Sequence, residues 1–180
     1  MEPKMTAHTT HRQTDIKWIR LQRATAREYR DREFLARARS LAEVHLAGLE
    51  DKAGKPKLGH AERVAARLSP TKEKTVAYLH DLLEDSDYTE EQLKRDFPRE
   101  IAEAVLAMTR ADKGEDYMIY IRRLASNSLA RRIKLADLED NLDPDRLIPD
   151  KALAEELRAR YRKAWEFLSG FKDPKSSEHP

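Results

Sequence analysis

The segment Tyr78-Leu79-His80-Asp81-Leu82-Leu83-Glu84-Asp85 sets four ionisable groups in a stretch otherwise rich in leucine. Such groups are costly to bury without partners. Read as a helix, the segment brings His80 over Glu84 and Asp81 over Asp85, because residues four apart share a face. One imidazole and three carboxylates then converge. The carboxylates repel one another, and proton uptake or a bound cation relieves that at least cost. A His-Asp pair alone is equally the mark of a capped or salt-bridged helix end, but two further pieces accompany it. Asp137 lies inside the apolar run Ile133-Lys134-Leu135-Ala136-Asp137-Leu138, where an acid again needs a partner. Lys134 or Arg131 could serve, and so could a metal. His60 opens a helix just after a lysine-rich loop. His60, His80, Asp81 and Asp137 together form a nitrogen and oxygen set suited to one divalent ion, Mn²⁺, Fe²⁺, Co²⁺ or Zn²⁺, with positions open for water and a phosphate oxygen.

The loop before His60, residues 51 to 59, carries Lys52, Lys55 and Lys57. These lysines could clamp outer phosphates, with Arg110 a further candidate, or simply be solvated. His45 shares a helix face with Leu41 and Leu49, which favours a partly buried, satisfied histidine over a role beside the metal. Arg20, Arg23, Arg27 and Arg30 recur at helical spacing. A solvated face interleaved with Glu28 and Asp31 accounts for them, and an anionic partner such as RNA or a second subunit of a homo-oligomer is the alternative.

The order of His60, His80-Asp81 and Asp137 resembles that of the HD-domain metal-dependent phosphohydrolases. The nearest branch is the hydrolase domain of the RelA/SpoT-type alarmone synthetase/hydrolases and their small stand-alone relatives. The similarity runs roughly from His45 to Leu147. It includes Gly54-x-Pro56, His80-Asp81-x-x-Glu84-Asp85, Phe97-Pro98-x-Glu100-Ile101, Met108-Thr109 and Lys134-Leu135-Ala136-Asp137. The resemblance implies an all-α HD-type helical bundle, a single Mn²⁺, and removal of the 3′-pyrophosphate from guanosine tetra- and pentaphosphate (ppGpp and pppGpp). It implies that Glu84 and Asp85 act on the attacking water, that Lys52 lies near substrate and that Asn141 lines the nucleotide pocket. Asn141 could also cap the helix that ends there. The chain departs from the pattern at Asp51, where the family carries a guanine-packing arginine, and at Lys57, which replaces an aromatic. Ala61 stands for a proline, and Leu138-Glu139-Asp140 for Arg-Leu-His. These changes make a nucleoside 5′-monophosphate phosphatase the second enzyme reading, and a non-catalytic regulatory module the reading from another class.

The elements that must position these residues are helices throughout. Polar residues 1 to 13, with His8 and His11, read as a flexible tail. Residues 14 to 40 read as an N-terminal helical extension, 41 to 147 as the core and 150 to 168 as a C-terminal helix, with a polar tail over 169 to 180. Helical periodicity runs from Asp15 to about Glu50, with Trp18, Leu21 and Tyr29 gathering on one side. A short helix starts near His60, and another follows Ser69-Pro70 and runs to about Glu84. Thr89-Glu90-Glu91-Gln92 has the form of a capping box, and Pro98 opens Arg99 to Met108. Tyr117 to Leu124, Leu129 to Leu138 and Lys151 to Leu168 complete the set. No alternating β-branched run and no repeat is present.

At 180 residues the chain suits one domain with one core. Its 38% charged residues balance to +2, so bulk charge supports neither a nucleic-acid binder nor a polybasic membrane anchor. The absence of cysteine excludes disulfides, thiolate nucleophiles and thiolate metal sites, and it fits a cytoplasmic setting. No apolar run is long enough to span a bilayer. A di-iron bundle would need Glu-x-x-His pairs, which the sequence lacks.

Overall fold

The computed structural model describes residues 8 to 112 and 114 to 171, with side chains from Lys17 onward. Among the described residues nine helices follow one another: α1 His8–His45, α2 Lys57–Ala66, α3 Thr71–Leu79, α4 Leu82–Asp85, α5 Glu90–Asp96, α6 Arg99–Met108, α7 Tyr117–Ala125, α8 Ser128–Asn141 and α9 Lys151–Ser169. Among the described residues the only β pairing is an isolated bridge between Glu50 and Pro56. The all-α expectation holds.

Two helices organise the bundle. α3 packs against α1, α2, α6 and α8, and α8 packs in turn against α2, α3, α6, α7 and α9. Val76, Ala77 and Leu79 of α3 are buried against Val64, Ile101, Val105 and Ile133 in one continuous core. Each fully buried branched side chain contributes roughly 1.5–3 kcal/mol. Ala38 and Ala42, both without exposed surface, let α1 approach closely. Leu79→Ala would leave a cavity in this core, beside His80 in sequence, at a cost of about 2–5 kcal/mol.

The helix ends follow local chemistry. Asp116, Asn127 and Asp150 accept backbone N–H bonds at the starts of α7, α8 and α9. The Thr89–Gln92 capping box forms with both of its bonds. α1 ends at His45 rather than near Glu50, and Gly48 then turns the chain with a φ of 73°, which glycine adopts without strain.

Three expectations are corrected. α1 begins at His8, so residues 8 to 13, including His8 and His11, belong to its first turns and not to a tail. No glycine or proline interrupts the sequence from there to His45, and α1 runs unbroken across that span. Residues 1 to 7 and 172 to 180 lie outside the described residues. Lys57 is the first residue of α2, because the chain turns helical directly after Pro56, so it is not a loop lysine. The helix expected to run to Glu84 breaks at His80-Asp81. His80 Nδ1 donates to the carbonyl of Ala77 at 2.7 Å, and that carbonyl is the acceptor the amide of Asp81 would use in a continued helix.

Trp18, Leu21 and Tyr29 do share a side of α1, but they are 58–64% exposed. Arg20, Arg23, Arg27 and Arg30 are exposed as well. α1 joins the core only from Phe34 onward.

Candidate functional site

The helix break, the start of α2 and the end of α8 converge on one pocket. His60 comes from the first turn of α2, His80 from the break and Asp137 from α8. All three are buried, and one ligand atom from each lies within 4.8 Å of the others. His60 Nε2 is 3.0 Å from Asp137 Oδ1, and the two imidazole rings meet edge to face at 5.3 Å.

The donor set fits a divalent ion. Because His80 Nδ1 carries the proton given to Ala77, Nε2 presents its lone pair. That nitrogen is buried without a hydrogen-bond partner. The nearest carboxylate oxygens are Asp81 Oδ1 at 3.2 Å and Asp137 Oδ1 at 3.8 Å. A buried acceptor facing acids instead of donors is unfavourable until a cation lies between them. Asp81 is partly exposed and borders the three-residue group without belonging to it.

Asp137 is held on several sides. Lys134 Nζ lies 2.7 Å from its Oδ2, and the Asn141 amide donates to Oδ1 at 2.6 Å. Metal ligand and lysine partner, alternatives in the sequence, are compatible because the two oxygens face different groups. Burial would raise the Asp137 pKa, but Lys134 and the two imidazoles hold it well below the carboxylate range. Lys134, against burial, is held well above its ordinary value by Asp137. Burial disfavours a charged His60, yet hydrogen bonds to Asp137 and Asp140 overcome it and push its pKa up to about 9.

Asp140 is a participant that the sequence reading missed. Its carboxylate, 1% exposed, accepts from His60 Nδ1 at 2.8 Å and from Arg63 and Arg146. Arg146 reaches on to Asp51 Oδ2 at 3.0 Å. The sequence signals were its departure from the family pattern and its place as a second acid three residues after Asp137 on the same apolar helix.

Glu84 and Asp85 lie on α4 at the pocket mouth. Glu84 is exposed and accepts the backbone N–H of Arg110 at 2.8 Å, while Asp85 pairs with Lys57. Lys52, Arg110, Asn141 and Lys57 all line this pocket, but Lys55 does not. α7 and α9 add Tyr117, Arg160 and Tyr161, which the sequence reading also missed. Partial burial and the nearby cations Arg160, Lys134, Lys57 and Arg110 lower the Lys52 pKa. His45 lies elsewhere, hydrogen-bonded to Asp87 at 2.9 Å and packed on Tyr88.

No family model matches the chain. It is 34% identical over 113 residues to the guanosine-3′,5′-bis(diphosphate) 3′-pyrophosphohydrolase of Haemophilus influenzae, over 54% of this chain and 17% of that protein. The chain therefore spans about a sixth of that relative's length. Among solved structures it is similar to a metazoan ortholog of SpoT that hydrolyses ppGpp and plays a role in starvation responses. The TM-score is 0.65 at 24% identity, covering 76% of this chain and 86% of that one. That likeness shows the fold.

Proposed function

We propose that this chain is a metal-dependent phosphohydrolase that removes the 3′-pyrophosphate of ppGpp and pppGpp. The observation that carries the reading is the buried His80 Nε2, which lacks a hydrogen-bond partner and sits beside His60, Asp137 and a row of pocket cations. The H. influenzae pyrophosphohydrolase and the SpoT ortholog support the choice of substrate. No helix among the described residues is long and apolar enough to cross a membrane, and a cytoplasmic nucleotide pool is the setting we assign.

His60, His80 and Asp137, with Asp81 adjacent, are the residues that would hold one divalent ion, Mn²⁺ being our choice within this hard-to-borderline donor set. When bound, such an ion brings a water's pKa toward about 7 and neutralises charge on a phosphoryl oxygen. The chain's own groups do the rest. Glu84 has one oxygen engaged by the Arg110 amide, which fixes the carboxylate at the pocket mouth to take a proton from the attacking water. Asp85, paired with Lys57, is placed to relay it. Lys52, partly buried and crowded by Arg160, Lys134, Lys57 and Arg110, gains when a polyanion enters. Asn141 steadies Asp137 Oδ1 and shapes the pocket wall.

Asp51 lines the pocket committed to Arg146, where a guanine-packing arginine would be expected, and this favours a second reading, a nucleoside 5′-monophosphate phosphatase. Product analysis separates them. With Mn²⁺ and ppGpp the expected products are GDP and pyrophosphate, whereas phosphate released from monophosphates with ppGpp intact supports the second reading. Release of neither from a nucleotide panel, or full activity in His80→Ala, would sink both.

A further inference from the structure

Among the described residues Asp140 is the most heavily partnered acid that the proposed chemistry does not use. Its Oδ1 accepts Arg63 Nε at 2.9 Å, and its Oδ2 accepts His60 Nδ1 at 2.8 Å, an Arg63 terminal nitrogen at 3.1 Å and Arg146 at 3.1 Å. Arg67 adds a longer contact of 3.5 Å. Guanidinium groups surround this carboxylate, and its Oδ2 is shared between two of them and an imidazole. That imidazole has its other nitrogen 3.0 Å from Asp137. In neutral histidine one ring nitrogen carries the proton and the other a lone pair, so the partner of Nδ1 decides what Nε2 can do. Arg146 cannot give a proton to a protonated Nδ1, so its donation goes to Asp140 Oδ2. It also reaches Asp51, whose Oδ1 accepts the backbone N–H groups of Ala53 and Lys55 and thereby shapes the loop that carries Lys52.

We propose that Asp140 is a positioning residue for His60: clamped by Arg63 and Arg146, it fixes the Nδ1-protonated tautomer and the ring angle that leave Nε2 free for a divalent ion, and Arg146 extends that constraint through Asp51 to the Lys52 loop. The inference rests on the metal-dependent reading above and assigns the control of ion affinity to a contact made 80 residues apart in sequence. Carboxylates behind metal-binding histidines typically govern affinity by about 10–100-fold. The Arg63 side chain is 45% exposed, so an ion pair at this depth is hardly needed to keep water out.

The test is Mn²⁺ binding by the full chain without substrate, followed from the electron paramagnetic resonance signal of free Mn²⁺. Asp140→Asn keeps the shape but replaces one acceptor with a donor. It is expected to bind Mn²⁺ about 10–100-fold more weakly than wild type, with the helical circular dichroism retained. Added Mn²⁺ should restore kcat while KM for ppGpp changes less than about twofold. A folded Asp140→Asn protein binding Mn²⁺ within twofold of wild type would overturn the proposal. Should that variant not fold, Arg63→Gln removes the two-pronged clamp from an exposed side chain. Mn²⁺ binding weakened about threefold or more then supports the proposal, and unchanged binding overturns it. Wild type that binds Mn²⁺ but leaves ppGpp intact defeats the substrate reading alone, so the two failures are distinguishable.

Discussion

Two acid-bearing segments face each other across the pocket, and they are built differently. On α8, Asp137 and Asp140 are almost fully buried, and each is held by at least three groups, among them Lys134, Asn141 and Arg63. On α4, a helix of four residues, Glu84 and Asp85 sit at the mouth with one named partner each. An acid that holds an ion gains from rigidity, since small errors in donor placement weaken coordination. An acid that takes and returns a proton gains from solvent contact and from a carboxylate that is not saturated with donors. The two sides divide fixed coordination from proton handling, and each can be disturbed separately.

The largest effect should come from the rigid side. Asp137→Ala removes a candidate ligand and leaves Lys134 buried without its carboxylate, which we expect to cost about 3–5 kcal/mol in urea unfolding. Calorimetry should show Mn²⁺ binding lost along with it. A variant that kept both stability and binding would erase the contrast between the segments. Next, Glu84→Gln should lower kcat about 10²–10⁴-fold, with Mn²⁺ affinity within about twofold of wild type. A large loss of affinity there would move Glu84 to the coordinating side.

Third, the proton on His60 competes with the ion. With a pKa of about 9 in the metal-free protein, apparent Mn²⁺ affinity should rise up to about tenfold per pH unit below pH 9 and then level off. The same raised pKa has a definite sign for stability. The contribution of His60 is fully present below its unfolded value near 6.5 and is lost as pH rises through about 9. Metal-free melting temperatures should therefore drift down over that window, and saturating Mn²⁺ should remove the drift. Smallest of all, replacing Arg20, Arg23 and Arg27 together by Gln should change stability by no more than about 0.5 kcal/mol and leave ion binding untouched. Those side chains are exposed on a stretch of α1 outside the core. Loss of salt-sensitive RNA binding in that variant would instead give the stripe a role.

The same two segments explain what could be read in the sequence. Ionisable groups within a leucine-rich helix need partners wherever the chain folds, so His80, Asp81 and Glu84 stand out from type and spacing, whereas His60 and Asp137 lean on the family resemblance. The break at His80-Asp81 does not stand out, because a side-chain bond to the Ala77 carbonyl causes it, without glycine or proline. Asp140 and Asp51 were visible as departures from a family pattern, but their partners lie 80 and 95 residues away, beyond any local periodicity. α9 gave its length and end, while the placing of Arg160 and Tyr161 at the pocket depends on how α9 packs on α7 and α8. In α1, Trp18, Leu21 and Tyr29 gather on one side as their spacing implies, but that side is exposed, and among the described residues no other element covers it.

That uncovered stretch has a hydrodynamic consequence. A helix of 38 residues is about 57 Å long, and only its last third is sunk in the bundle. Tumbling in solution should then be anisotropic, with a rotational correlation time above that of a sphere of equal mass. Two natural fluorophores lie on either side of this divide, Trp18 on the protruding stretch and Trp165 on α9, 61% and 37% exposed. Their emission and quenching should report separately on the arm and on the body.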